Sequence, residues 1–215
     1  MPSTADHSSV TSRLRNDILH GDLTPGMRLI ELQLTDRYHV GRAAIRSAIV
    51  ELGKEGLVTH EANRGATVNS LNLAEIIEVY EARSALEGLA AGCAATQATA
   101  EERDELRSLA SRMRDSAKHG KSTSFKELGH ELHDLISRMG RHRIARGLIA
   151  ALLNRSRQFR DPERPSMGSE RVHQVLVERL AIIDAIVEGN SDEASRAIQR
   201  HIDSTIAALR KETSR

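Results

Sequence analysis

The sequence predicts a mainly α-helical protein in two parts, with three helices and a β-hairpin at the N-terminus and an all-α bundle after them. Apolar residues recur at helical spacing along most of the 215 residues, and strand-like runs occur only near residues 57–60 and 66–69. Aromatic residues make up 2% of the chain and Trp is absent. The core is therefore expected to be aliphatic, which suits helices packed on helices.

Cysteine content, hydropathy and charge exclude several classes of protein. The single cysteine, Cys93, cannot form an intrachain disulfide and fits a reducing compartment. No apolar run approaches the roughly 20 residues that span a bilayer, and no signal-peptide pattern follows Met1. We therefore expect a soluble, cytoplasmic protein with no membrane partner. The net charge of +1 gives no overall attraction to nucleic acid, so only local charge patterns are informative.

The first helix is predicted over residues 8–20, where apolar side chains recur at helical spacing. Gly21 is a usual helix terminator, and Pro25 and Gly26 supply the backbone angles of a tight turn. The apolar positions of this helix are Val10, Leu14, Ile18 and Leu19.

The second and third helices flank a short turn. Residues 30–38 are predicted to form a helix that buries Leu32 and Leu34, and residues 39–41 form the turn. A third helix begins near Arg42. Its predicted core face consists of Ile45, Ala48, Ile49 and Leu52.

A β-hairpin completes the N-terminal unit. Residues 57–60 and 66–69 are predicted as strands, joined by a tip that contains Gly65. Helix, turn, helix and hairpin in this order form the plan of a winged helix-turn-helix. In that fold one helix enters the major groove of DNA.

Arginines at the start of the third helix are the first candidate DNA contacts. Arg42 and Arg46 are four residues apart and share one helix face, and residues 37–46 contain no acid. A guanidinium can bond guanine N7 and O6 or clamp a phosphate. Arg64 at the hairpin tip is a further candidate. Each feature alone is usually a solvated face or a plain turn, but their occurrence in this order predicts DNA binding.

Residues 1–69 resemble GntR-type transcription regulators. The resemblance is carried by residues 14–26, 29–31, 40–42, 45–46 and 55–58 and by Arg64-Gly65. Gly41 stands where the family usually has a capping Ser, and Gly is a weaker cap by only a few tenths of a kcal/mol.

The resemblance implies double-stranded operator DNA as a partner and assigns the residues that contact it. Arg42 and Arg46 would contact the operator, as would Arg64 and Gly65 at the wing tip. Thr35 would touch a phosphate. The family's usual Pro and Glu are replaced by Ala44 and Ser47, which leaves the operator sequence open.

Residues 73–215 are predicted to form the all-α bundle, after a linker at 70–72. No strand-like alternation occurs in this half. The predicted helices are 73–97, 101–116, 125–139, 143–159, 169–188 and 191–211. The apolar face of the first is expected to comprise Ile76, Ile77, Tyr80, Leu86 and Leu89.

This half resembles the FCD effector domain of the FadR subfamily. The matching pieces are residues 78–87, 131–136 and 178–201. In many members an Asp and three His residues bind a metal in the bundle core. The resemblance also implies a homodimer in which this domain provides the main contact.

The chain keeps only part of that ligand set. His133 and His201 match two of the histidines. Gly129, four residues before His133, replaces the Asp, and Arg179, 22 residues before His201, replaces the third His. Because a fixed guanidinium charge repels a cation, we expect no family-type metal and no other cofactor.

Arg179 is instead expected to bind a small organic-acid-type effector directly. The resemblance places Arg83 where the family often presents an Arg toward its ligand. His133 and His201 would exchange hydrogen bonds with the effector, and Asn154 would line the same cavity.

A purely structural interpretation stands beside this one. The two histidines would then be core residues, and Arg179 would pair with a nearby acid such as Glu178 or Asp184.

Together these features predict a ligand-responsive transcription regulator. It would act as a repressor that binds a palindromic operator as a dimer and is released by an anionic metabolite. The alternative is a constitutive DNA-binding dimer whose helical domain has lost its ligand. An enzyme is not expected, because no nucleophile–base pair, complete metal set or phosphate-binding loop is present.

Overall fold

The computed structural model describes residues 4–61, 65–120, 122–158 and 168–212. The N-terminal elements are α1 (Thr4–His20), β1 (Arg28–Leu29), α2 (Glu31–Tyr38), α3 (Arg42–Lys54), β2 (Val58–Glu61) and β3 (Gly65–Val68). The helices that follow are α4 (Leu73–Gln97), α5 (Ala100–Lys118), α6 (Ser122–Met139), α7 (Arg143–Gln158), α8 (Ser169–Val187) and α9 (Ser191–Glu212). This arrangement confirms the predicted fold class.

The chain divides into two compact units. One comprises the described parts of Met1–Ile76 and Leu153–Asp161, and the other those of Ile77–Leu152 and Pro162–Arg215. No helix in the described segments is both long and apolar enough to cross a membrane.

The first unit has an aliphatic core between α1 and α3, which pack against each other. Leu14, Ile45 and Leu52 are fully buried there, as the periodicity predicted. His39 has a left-handed backbone (φ 56°) and ends α2. Gly41 begins α3 in an extended conformation and supplies no side-chain cap, so the missing Ser leaves the turn geometry intact.

The wing contains one strand more than the sequence predicted. The sheet order is β1-β3-β2, and both pairings are antiparallel. Thr67 at the centre of β3 pairs with Thr59 on one side and with Arg28 on the other. The two residues of β1 are too few to give a strand pattern, so the sequence contained no signal for them.

Two predicted core residues are at the surface. Leu32 is 55% exposed, because α2 turns Leu34 and Tyr38 inward instead. Leu89 is 45% exposed, although it was assigned to the apolar face of α4. The buried face of α4 runs from Ile76 through two charged residues to a stretch of alanines, and an apolar pattern cannot reveal charged residues in a core. Its buried members are Ile76, Val79, Arg83, Glu87, Ala90, Ala91, Ala94 and Ala95.

The second unit is held at one end by Arg103 of α5. Its Nη1 donates to the carbonyl of Ile186 at 2.8 Å and also to that of Val187, at the end of α8. Its Nη2 donates to Ala95 at 3.0 Å and its Nε to Ala98 at 3.3 Å, near the end of α4. One guanidinium thus satisfies terminal carbonyls of two helices, which their own backbones cannot do.

We predict that Arg103→Ala lowers the free energy of unfolding by about 2 kcal/mol, because hydrogen bonds to a charged donor contribute roughly 1.5–3 kcal/mol. Chemical denaturation followed by circular dichroism measures this. The control is Arg107→Ala on the same helix, which removes only an exposed pair with Asp104 and should cost less than about 1 kcal/mol. Equal losses in both variants would contradict the capping role of Arg103.

Candidate functional site

The candidate DNA-contact residues Arg42 and Arg46 lie on the first turns of α3, and both are exposed. The Nε of Arg46 donates to both carboxylate oxygens of Glu31, each at 2.9 Å. Arg46 remains 67% exposed, so the guanidinium is accessible although it is paired.

The sequence did not predict that Glu31 pairs with Arg46. Glu31 lies on α2, outside the acid-free stretch of residues 37–46, and only the fold brings it to α3. The hydrogen bond from Arg46 lowers the pKa of the Glu31 carboxyl, and the charges of Arg42 and His60 act in the same direction. Helix α3 therefore has a neighbouring acid, which is paired with the predicted DNA-contact residue Arg46.

The remaining predicted DNA contacts are at different places. Thr35 lies within α2 and its hydroxyl donates to the carbonyl of Leu32 at 2.6 Å. Arg64 lies outside the described residues. Gly65 begins β3 with φ +86°, a conformation that L side chains rarely adopt. The guanidinium of Arg28 approaches Gly65, with its Nε 3.8 Å from where a Cβ would stand, so β1 adds a basic residue to the wing.

In the bundle, the structure brings His133 of α6 and His201 of α9 together. Their rings are stacked with centroids 5.6 Å apart, and each residue is 5% exposed. Each ring donates Nδ1–H to a carboxylate, His133 to Glu87 and His201 to Glu178. The pKa of His201 is lowered to about 4, mainly by burial. Its ring is therefore neutral at neutral pH, and its Nε2 is a hydrogen-bond acceptor.

Glu87 is buried between two basic partners on different helices. The Nε of Arg83 donates to it at 2.6 Å, and His133 binds the other oxygen. Burial alone would raise the pKa of Glu87, but the Arg83 and His133 contacts outweigh it and the pKa falls to about 2. Arg83 also lies over the Tyr80 ring, 4.9 Å from its centroid. The charge of this predicted effector residue is thus compensated within the protein.

Glu178 forms the second buried network. His201 donates to it at 2.7 Å and Ser204 at 2.6 Å, while Arg171 lies 3.6 Å away. Burial is the main reason that the pKa of His201 falls to about 4, although the hydrogen bond to Glu178 opposes the shift. The charges of His133 and Arg179 lower the pKa of His201 further.

Arg179 is 7% exposed, and no ion pair joins it to a carboxylate in the described part of the chain. Its Nη1 donates to the carbonyl of Phe125 at 2.9 Å, and its Cζ lies 4.6 Å from the centroid of that ring. Within the same residues its buried Nε has no hydrogen-bond partner. Burial lowers the pKa of Arg179 to about 10, so the group stays charged at neutral pH.

Gly129 makes room for this guanidinium. A Cβ at position 129 would stand 2.0 Å from Nη2 of Arg179 and 2.4 Å from its Cζ. Gly129 and Arg179, the two positions at which this chain lacks the family's metal ligands, are therefore neighbours. The guanidinium of Arg179 fits because residue 129 has no Cβ.

The donor set does not fit the metal of the family. The Asp position is a glycine, and the guanidinium of Arg179 occupies the space that a side chain there would fill. Across the described segments, no cluster of three or more His, Cys, Asp or Glu side chains could hold a metal ion. Two imidazoles beside a fixed positive charge make a poor cation site.

Asn154 does not belong to this cluster. It lies in α7, in the part grouped with the N-terminal elements, and its Oδ1 accepts a hydrogen bond from Arg157 at 3.5 Å.

The buried cluster carries an excess positive charge. The buried charged side chains of the cluster are Arg83, Glu87 and Arg179. Glu178 and Arg171, whose side chains are 17% and 22% exposed, form a partly buried pair beside them. Arg83 is paired with Glu87, whereas no ion pair joins Arg179 to an acid among the described residues. An anion at this position would complete the charge balance.

A winged helix-turn-helix joined to a helical domain with a charged core defines a DNA-binding transcription regulator with an effector domain. Residues 7–68 match the gntR family of bacterial regulatory proteins, and residues 78–204 match the FCD domain. The chain therefore belongs to the GntR family of transcription regulators, as the sequence resemblance predicted.

Relatives and solved structures agree with this assignment. The chain is similar to the HTH-type transcriptional repressor RspR of Escherichia coli (strain K12), with 26% identity over 221 residues, 99% of this chain and 94% of that protein. It is 25% identical to the HTH-type transcriptional regulator YdhC of Bacillus subtilis (strain 168) over 193 residues, 89% of this chain and 85% of that protein. The structure of E. coli McbR/YncC has the same fold, with a TM-score of 0.82 at 17% identity over 99% of this chain and 100% of that chain.

The depressed pKa of His201 predicts a loss of stability in mild acid. The folded pKa of about 4 lies below the usual 6.5, so between these values the unfolded chain binds a proton that the folded chain does not. Stability therefore falls as the pH is lowered through this window. From pH 7 to pH 5 the contribution of His201 amounts to roughly 2 kcal/mol.

Urea denaturation at both pH values measures this effect. His201→Gln should flatten the pH dependence, and His119→Gln, which changes an exposed histidine, should leave it as in the wild type. A wild-type protein that is more stable at pH 5 would show that His201 is cationic when folded.

Proposed function

We propose that this protein is a cytoplasmic repressor that binds a palindromic operator as a homodimer and is released by a small anionic metabolite. The observation that carries the effector assignment is Arg179, a buried guanidinium that lies against Gly129 and has no acid partner among the described residues. A bound carboxylate would neutralise it with charge-assisted hydrogen bonds.

The histidine pair narrows the class of effector. Because His201 donates Nδ1–H to Glu178 and its lowered pKa keeps the ring neutral, its Nε2 is available as an acceptor. A ligand that suits this site carries a carboxylate for Arg179 and a hydroxyl for an imidazole, as a small hydroxy acid or sugar acid does. Arg83 would act indirectly, by holding Glu87 and through it His133.

Exposed apolar side chains on the bundle support the dimer. Leu89 of α4, Ile144 and Leu148 of α7 and Val177 of α8 are each 45% exposed or more. Ile144 and Leu148 are four residues apart and share one face of α7, and adjacent exposed aliphatic groups are typical of surfaces that bind another protein. A second copy of the chain would also provide the second recognition helix that a palindrome requires.

The internal pairing of the cluster favours one alternative, a constitutive DNA-binding dimer. Each of Arg83, His133 and His201 already has a carboxylate partner. Arg179 is therefore the one member of this group whose charge a ligand would have to compensate. The response to organic acids separates the two functions.

We predict that Arg46→Ala weakens operator binding by roughly 1–3 kcal/mol and relaxes the base preference at one position of each half-site. The operator is first selected with the wild-type protein from random duplexes, and affinities are measured by fluorescence anisotropy at fixed salt. Glu31→Gln, which removes the competing carboxylate, should tighten binding to random DNA.

The control is Arg112→Ala, which removes an exposed pair with Glu131 in the bundle. Its affinity should equal that of the wild type, and the stoichiometry should be two chains per operator. An unchanged operator sequence and affinity in Arg46→Ala would contradict the assignment of α3 as the reading helix.

We predict that lactate, malate or gluconate raises the melting temperature and releases operator DNA, with or without chelator, since a ligand of the folded state stabilises it by mass action. Arg179→Ala and Gly129→Asp should abolish both responses and retain operator affinity. In Gly129→Asp the new carboxylate would take the place of the effector at Arg179.

The matched control is Gly147→Asp, which adds a carboxylate to a helical glycine with open space around it and should respond as the wild type does. A response that survives in Gly129→Asp would place the effector elsewhere. A response lost with chelator would mean that a metal binds. No response to any acid would favour the constitutive dimer.

A further inference from the structure

A separate cavity of about 500 Å³ lies in the second unit, between the last turn of α5, the first turn of α6 and the first two turns of α8. Its volume falls within the roughly 300–1,000 Å³ of small-molecule sites. The described residues that line it do not include Arg83, His133, Arg179 or His201, so the effector proposed above does not account for it.

The chemistry of the cavity wall is amphipathic. Its apolar part is formed by Ala117, Phe125, Val172 and Leu176. Phe125 is fully buried, which gives the cavity a fixed aromatic floor.

The charged part of the wall has one sign. The basic residues Arg114 and Lys118 line the cavity, and its described lining contains no Asp or Glu. Arg114 and Lys118 are exposed, and across the described residues neither forms an ion pair. A guanidinium and an ammonium group at the edge of an apolar wall are suited to an anion with an apolar body.

We propose that this cavity binds an amphipathic monocarboxylate, such as a medium-chain fatty acid. The acyl chain packs on Phe125, Val172 and Leu176, and Arg114 and Lys118 hold the carboxylate. This ligand differs from the proposed hydroxy-acid effector, whose partners are polar and buried.

Phe125 contacts both the cavity and Arg179, so the two proposed sites must be tested separately. Its ring lines the cavity, while its carbonyl and ring also hold Arg179. A ligand in the cavity therefore contacts a residue that positions the buried cation.

Isothermal titration of the full chain with decanoate tests the proposal, with decanol as the uncharged probe. Decanoate should bind, and decanol should bind roughly tenfold more weakly because it lacks the ionic contact. The double variant Arg114→Glu/Lys118→Glu should weaken decanoate binding by roughly tenfold or more. Val172→Trp should block both probes by filling the cavity. Lys211→Glu, an exposed change on α9, should bind decanoate as the wild type does.

Gly129→Asp distinguishes this site from the Arg179 site. It should lose the response to hydroxy acids and keep its affinity for decanoate. Failure of the hydroxy-acid response in the wild type would therefore leave the cavity proposal intact. The proposal is overturned if decanoate does not bind, if decanol binds equally well, or if neither Val172→Trp nor the charge reversal alters binding.

Discussion

The positive charge of Arg179 is the constraint on which the core of the effector domain depends. A buried guanidinium is costly unless it is paired, and here it has one carbonyl, one aromatic face and no carboxylate within the described residues. The space it needs exists because residue 129 lacks a Cβ. Its charge lowers the pKa of His201, so it also favours the neutral form of one of the two stacked imidazoles.

The arginines of this protein differ mainly in their partners. Arg103 binds the carbonyls that end two helices, and Arg83 has its own buried carboxylate. These two guanidinium groups bind partners within the protein and stabilise the fold. Arg46 is paired with Glu31 but exposed, so this ion pair contributes little to stability and the guanidinium remains accessible. Residue type alone would assign all of these arginines the same role. Their burial and the identity of their partners distinguish arginines that stabilise the fold from an arginine that is accessible to a ligand.

Local signals predicted most of the fold, and long-range contacts account for the rest. Helix α4 was predicted with the bounds that the structure has, because periodicity and its ends are encoded nearby. The Glu31–Arg46 and Glu87–His133 contacts join residues 15 and 46 positions apart, and no spacing rule predicts them. The sequence did mark Gly129 and Arg179 as departures from the family pattern. Only the structure shows that one fills the space left by the other.

On the proposed function, replacing a metal by a guanidinium changes the conditions under which the domain responds. A metal site needs deprotonated ligands and a supply of the ion, so its occupancy varies with pH and with the metal. Arg179 is covalently part of the chain and, with a pKa of about 10, stays charged at neutral pH. His201, with a pKa of about 4, stays neutral over the same range. Both charge states are therefore fixed before the ligand arrives. The response then depends on the concentration of the anion alone, and not on a metal and an anion together.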